Sequence, residues 1–205
     1  MSDSIRLSLW FSTQTTAQIL PHLAHVVELL PAEALERGVR SLSVTALDWS
    51  EPALVEERYE TGIPLAAALE QMREFVQADC AGELELAWLL WSYDPERAGP
   101  DSPSGEDEGW LQVPQTLRCS SLGPLFADGL AAEEGHVVVD FGLDEAFLAE
   151  LAPWNASTRR HLQANILQLL AFSRKLELQL RPQRRRLWSE GEADWTQRLL
   201  RRIAE

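Results

Sequence analysis

Ile5, Leu7, Leu9 and Phe11 alternate with Arg6, Ser8, Trp10 and Ser12, a period of two that predicts a strand with one face on a core. From about Thr15 the period lengthens. Ile19, Leu20, Leu23, Val26, Val27 and Leu30 recur at helical spacing, and Pro31 permits a break before a second short helix through Leu35 to Gly38. Leu42, Val44 and Ala46 predict a second strand ending near Asp48. Residues 49–62 are acidic and without period, so an irregular segment is expected there. Leu65, Leu69, Met72 and Val76 mark one face of a helix that runs to about Cys80, with Gly82 as its stop. Leu84, Leu86, Trp88 and Leu90 form a third strand, and Leu89 and Trp91 on its other side predict a central strand covered on both faces.

Residues 94–109 are rich in Pro, Gly and acid and read as a mobile loop between two strand segments. Trp110 to Val113 and Thr116 to Ser120 are expected as a returning strand interrupted at Pro114. Val137, Val139 and Phe141 give another strand, and Leu143 to Leu151 a short helix. Leu162, Ile166, Leu169, Leu170 and Leu176 define a long helix from about Ser157 to Leu180, limited by Pro182. A last helix, about Ala193 to Ile203, spaces Trp195, Leu199 and Ile203 four residues apart. This order predicts an α+β fold: a mixed, largely antiparallel sheet with helices packed on one face and a C-terminal helical segment. Elements of a ferredoxin-like core fit its first half.

Length changes little in this picture. The 205 residues suit one domain over 1–180, with residues 181–205 as an arginine-rich helical appendage. The eight tryptophans are scattered, as in general packing. Cys80 and Cys119 lack the spacing of a disulfide framework or zinc site. The acidic start, Met1-Ser2-Asp3-Ser4, lacks the basic flank of a signal peptide, and no stretch of eighteen apolar residues occurs. A bacterial cytoplasmic protein is expected.

Charge changes the picture more. Residues 1–158 carry 7 basic and 27 acidic side chains, net −20, whereas residues 159–205 carry 11 basic and 5 acidic, net +6. Only Lys175 among the cations is not an arginine, so nearly every positive group is a planar fork suited to carboxylates or phosphates.

No motif fixes a reaction. His22, His25 and Glu28 share a helix side but lack the His-Glu-x-x-His pattern and a second ligand cluster. His136 to Asp140 has the shape of an apolar strand ending in an acid, yet no glycine-rich loop with lysine accompanies it, which excludes a P-loop enzyme. Asp140 and Asp144, with a histidine, could pair for metal or acid/base work, against the simpler reading of a strand-end turn with Asp144 as helix cap. Cys119-Ser120-Ser121 offers nucleophiles without an elbow or a local partner histidine, for which His136 and His161 would have to come near in space. No cofactor is implied.

The arginine end carries the leading expectation. Arg181, Arg184, Arg185, Arg186, Trp188, Trp195, Arg198, Leu199, Arg201, Arg202 and Ile203 form the candidate partner-binding set. They would dock on the chain's own acidic body, on a second copy, or on an acidic protein. The acidic stretches 48–60 and 94–109 offer a second interface. Nucleic acid on Arg184 to Arg186 with Trp188 stacking is disfavoured by the net −20 of the body. The expectation is therefore a non-enzymatic accessory, adaptor or immunity-type factor that binds another protein. The alternative is a hydrolytic or metal-dependent enzyme built around Asp140 and Asp144.

Overall fold

The computed structural model describes residues 3–97, 109–148, 152–191 and 194–204. Its seven strands are β1 (Ser4–Trp10), β2 (Val39–Ala46), β3 (Ala53–Ile63), β4 (Cys80–Tyr93), β5 (Trp110–Leu122), β6 (Val137–Leu143) and β7 (Arg184–Trp188). They join one sheet in the order β3-β2-β4-β5-β6-β1-β7. Every neighbouring pair is antiparallel. The helices are α1 (Thr16–Glu28), α2 (Ala32–Glu36), α3 (Leu65–Met72), α4 (Ala131–Glu134), α5 (Glu145–Leu148), α6 (Ala156–Leu180) and α7 (Trp195–Ala204), with a 3₁₀ turn over Phe126–Gly129.

Alternation decides which face of the sheet is covered. Ile5, Leu7 and Leu9 of β1, Leu42 and Val44 of β2, Leu84, Leu86, Trp88 and Leu90 of β4, and Val137, Val139 and Phe141 of β6 belong to one buried cluster. Helices α1, α3 and α6 supply its other side through Leu23, Val26, Met72, Ile166, Leu169 and Phe172. The long helix α6 begins where the Asn155 side chain accepts the Thr158 N–H at 2.9 Å, satisfying one of the free donors of the first turn. It ends at Arg181, whose φ of 47° turns the chain left-handed, so the chain reverses into β7. Arg181 itself supplies that reversal, one residue ahead of Pro182.

The acidic stretch 49–62 is irregular only to residue 52; from Ala53 it is the edge strand β3, which among the described residues pairs with β2 alone. Its pattern hides this because the exposed Glu57 separates Val55 and Tyr59, the positions it turns toward the core, and its other side faces solvent. Nor is the returning strand interrupted. β5 runs through Pro114, which lies opposite Leu89 of β4, while β6 pairs only with Arg118 to Ser121. Position 114 therefore has one strand neighbour, the setting in which a strand tolerates proline. Of the expected loop 94–109, residues 98–108 lie outside the described residues.

The last segment packs with the rest of the chain. β7 pairs with β1 over Arg184 to Trp188, and Trp195 and Leu199 of α7 are fully buried in the main cluster. Among the described residues no helix is long and apolar enough to cross a membrane.

Candidate protein-binding surface

The face of the sheet away from the helices is polar, and register arranges it in two rows. From β7 to β3 the first row reads Arg186, Ser8, Val138, Ser120, Glu83, Ser43, Glu56. The second reads Trp188, Arg6, Asp140, Arg118, Glu85, Ser41, Arg58. In the second row cations and carboxylates alternate across four strands, which cross-strand pairing favours. One end of this face is roofed by a small apolar cluster of Ala81, Leu122, Phe126 and Ala131, with Trp49 edge-on to Phe126 at 4.9 Å between ring centres.

Arg118 organises the middle. Its Nη2 lies 2.7 Å from Glu85 and its Nε 3.1 Å from Glu83. The Ser120 hydroxyl donates to Glu83 at 2.8 Å. Burial pushes the Glu83 carboxyl above its usual range; Ser120 and Arg118 oppose that rise, and Glu85 and Asp140 add to it. The Glu85 hydrogen bond in turn raises the Arg118 guanidinium. Asp140 accepts from Ser4, from the Gly142 N–H at 2.8 Å and from Arg6 Nε at 3.4 Å. Arg6, Glu83, Arg118, Ser120 and Asp140 line a concavity of about 410 Å³, bounded by Trp49 and Glu134.

The concavity does not have the parts of an acyl-transfer site. Among the described residues that line it beside Asp140 there is neither Asp144 nor a histidine. Ser120 sits mid-strand with β4 on one side and β6 on the other, so nearby amides are committed to strand pairing rather than aimed at an oxyanion. The other candidates lie elsewhere. His22 stacks on Phe11 at 4.0 Å and its Nδ1 meets the Gln14 side-chain oxygen at 2.8 Å. His136 Nδ1 accepts the Phe11 N–H at 2.9 Å. Burial lowers both imidazoles, His22 further through His136 and His25, so both favour the neutral form. His161 is packed between Trp91 and Trp110. Cys119 is wholly buried and its thiol pushed far up by desolvation, the state of a packing cysteine. Among the described residues no three His, Cys, Asp or Glu converge as metal ligands.

The arginine end divides into distinct environments. On the open face, Arg184 lies over the Trp10 ring at 3.9 Å, and Arg186 and Arg6 flank Trp188 at 5.1 and 5.6 Å. The two indoles are fixed in turn: Trp10 Nε1 donates to the Ala132 carbonyl at 3.0 Å and Trp188 Nε1 to Ser8 Oγ at 2.9 Å. Arg185 points to the helix side and meets Ser173 and Glu177. Trp195 and Leu199 are core, with Arg198 over the Trp195 ring at 4.5 Å. Arg202 stacks on Trp154 at 4.1 Å and donates to the Leu148 carbonyl at 3.1 Å. Arg201 Nε donates to the Gln197 carbonyl one turn back. The side chain of Ile203 falls outside the described residues. The structure thus brings Arg184, Arg186 and Trp188 together, and joins to them Trp10 and Arg6, which the sequence reading had not included. The signal for those two was available: they occupy the polar side of the first alternating strand.

No protein-family model, curated protein or solved structure matches this chain. Function is therefore argued from the geometry of the site.

Proposed function

We propose that this chain is a non-enzymatic protein-binding factor whose β7 edge receives an acidic, extended segment of a partner protein. The observation that supports this reading is the arginine–tryptophan strip. Arg184 and Arg186 lie over Trp10 and Trp188, 3.9 and 5.1 Å from the ring centres, on a strand that, among the described residues, pairs on one side only. An edge strand offers unpaired N–H and C=O groups to an added strand. Guanidinium forks on that strand select carboxylates, and tryptophan and arginine are the residue types that carry most interface energy. Prior stacking also reduces the ordering entropy that binding must overcome.

The charge of the body argues against the alternative polyanion. A nucleic acid laid along β7 would meet the chain's net charge of −14 at pH 7, whereas a short acidic strand needs to approach only the basic edge. The test is fluorescence-anisotropy titration of the full chain with three labelled probes: an acidic strand-forming peptide, the same composition broken by prolines, and a random single-stranded oligonucleotide. The acidic strand should bind, and Arg184→Glu with Arg186→Glu should abolish that binding. Tighter binding of the oligonucleotide, or equal binding of the proline-broken peptide, would sink the reading.

A further inference from the structure

Resting on that reading, we infer that the acidic strand taken by β7 is β3 of a second copy, so that copies of this chain join edge to edge and continue one sheet. Both strands are termini of the sheet order. β3 exposes Glu56, Glu57 and Glu60 against the single cation Arg58, whereas β7 carries Arg184, Arg185 and Arg186. Two β7 edges repel one another, and so do two β3 edges. Only the unlike pairing brings opposite charges across the new ladder. The chain therefore carries its own complementary partner surface, and each edge discourages the symmetric dimer.

Strand direction follows from counting. The sheet has seven strands and every neighbouring pair is antiparallel, so the first and last strands run the same way. A second copy that keeps its helix layer on the same side must add β3 parallel to β7, with the evenly spaced, slanted bonds of a parallel pair. Side chains then match by face. Glu56 lies opposite Ser43 on the open side and Glu57 opposite Leu42 on the covered side. Arg184 lies opposite Trp10 on the open side, and Arg185 opposite the core residue Leu9. A register that sets Glu56 beside Arg184 and Glu57 beside Arg185 also sets Tyr59 beside Leu187. The same register brings Arg58 beside Arg186, its one unfavourable meeting, and draws Glu56 and Arg185 from their internal partners Arg58 and Glu177.

Because the two edges differ, the contact is heterologous and repeats head to tail instead of forming a symmetric pair. Successive strands rotate by roughly 20–25°, so seven steps turn each copy by roughly 140–175° from the last. Helix layers would then alternate between opposite sides of the growing sheet, which separates the bulky parts of adjacent copies.

The experiment is sedimentation velocity of the purified full chain over a concentration series, at about 20 mM and about 500 mM salt. Wild type should form concentration-dependent species larger than a monomer at low salt and lose them at high salt. Two charge reversals, Glu56→Arg with Glu57→Arg and Arg184→Glu with Arg185→Glu, should each associate roughly tenfold or more weakly than wild type. Mixing the two variants restores unlike edges and should restore assembly. Thermal melts matched to wild type establish that each variant is folded; Glu56→Gln with Glu57→Gln and Arg184→Gln with Arg185→Gln provide milder versions if a reversal fails to fold. A wild-type chain that stays monomeric at low salt, or a mixture that does not assemble, overturns the inference. Titration of the same proteins with the acidic strand peptide separates the two claims. A monomeric wild type that still binds the peptide through Arg184 and Arg186 leaves the proposed function standing, and one that does not bind it removes both.

Discussion

Trp195→Ala measures how firmly α7 belongs to the body of the protein. Trp195 is fully buried, as is Leu199 one turn later, and both join the main core with Leu169, Phe172 and Leu176 of α6. A tryptophan buries roughly 150–250 Å², which at about 25 cal/mol per Å² is about 4–6 kcal/mol of transfer free energy. One feature offsets this. Among the described residues the buried Trp195 Nε1–H has no hydrogen-bond acceptor, a defect of about 1–3 kcal/mol that the substitution removes. The expected loss is therefore about 2–4 kcal/mol, or roughly 5–15 °C in Tm for a chain of this size. Trp195→Phe removes the N–H while keeping most of the ring and should stay within about 1 kcal/mol of wild type. Urea unfolding followed by far-UV circular dichroism avoids the change in tryptophan fluorescence that the substitution itself causes. A loss below about 0.5 kcal/mol for Trp195→Ala, with unchanged denaturant slope, is the behaviour of a solvated helix. It would refute the packing argument.

Asn165→Ala should cost about 2–4 kcal/mol in the same assay. The buried amide accepts the Trp91 N–H at 2.9 Å and donates to the Trp91 and Ala146 carbonyls at 2.8 and 2.7 Å, and removal leaves those groups unpaired. Acid should weaken the fold through His22 and His136, whose imidazoles are both held below the ordinary value of 6.5. The unfolded chain then binds more protons than the native one as pH falls through about 6.5, so the unfolding free energy is level above about pH 7 and declines below it. Measuring the urea midpoint from about pH 8 to about pH 5.5 for wild type, His22→Gln and His136→Gln checks this; an equally steep decline in both variants would assign it to other groups.

Elements with one buried side were legible from their periods. Ile5 to Leu9, Leu42 to Ala46 and the face Leu162, Ile166, Leu169 carry the alternation or helical spacing that burial on one side imposes. β3 and β7 were not, because both are edges. In β3 the charged Glu57 stands between the core-facing Val55 and Tyr59, and in β7 Arg185 meets Ser173 and Glu177 on the helix side, so charge masks the period. The candidate surface was legible in part for the same reason. Arg184, Arg186 and Trp188 stood out as a local run. The polar network of Glu83, Glu85, Arg118 and Asp140 is assembled from three strands, β4, β5 and β6, whose polar positions each say only that a side chain faces away from the core. Cross-strand register alone makes them neighbours.

The place of β1 also bears on how the chain reaches this structure during synthesis. Of the seven described strands, the first in sequence lies between the last two, with β6 on one side and β7 on the other. At the usual 5–20 residues per second, roughly 10–40 s separate the emergence of β1 from that of β7. Leu7 and Leu9 have neither strand neighbour until β6 (Val137–Leu143) emerges and lack the second until β7 does, and the closing contacts are among the longest in the chain, as between Ser8 and Trp188. Such non-local closure slows folding and prolongs exposure of a bare strand. The nascent chain therefore has a long window in which β1 needs protection, and it is the joining of the earliest and latest segments that ends it.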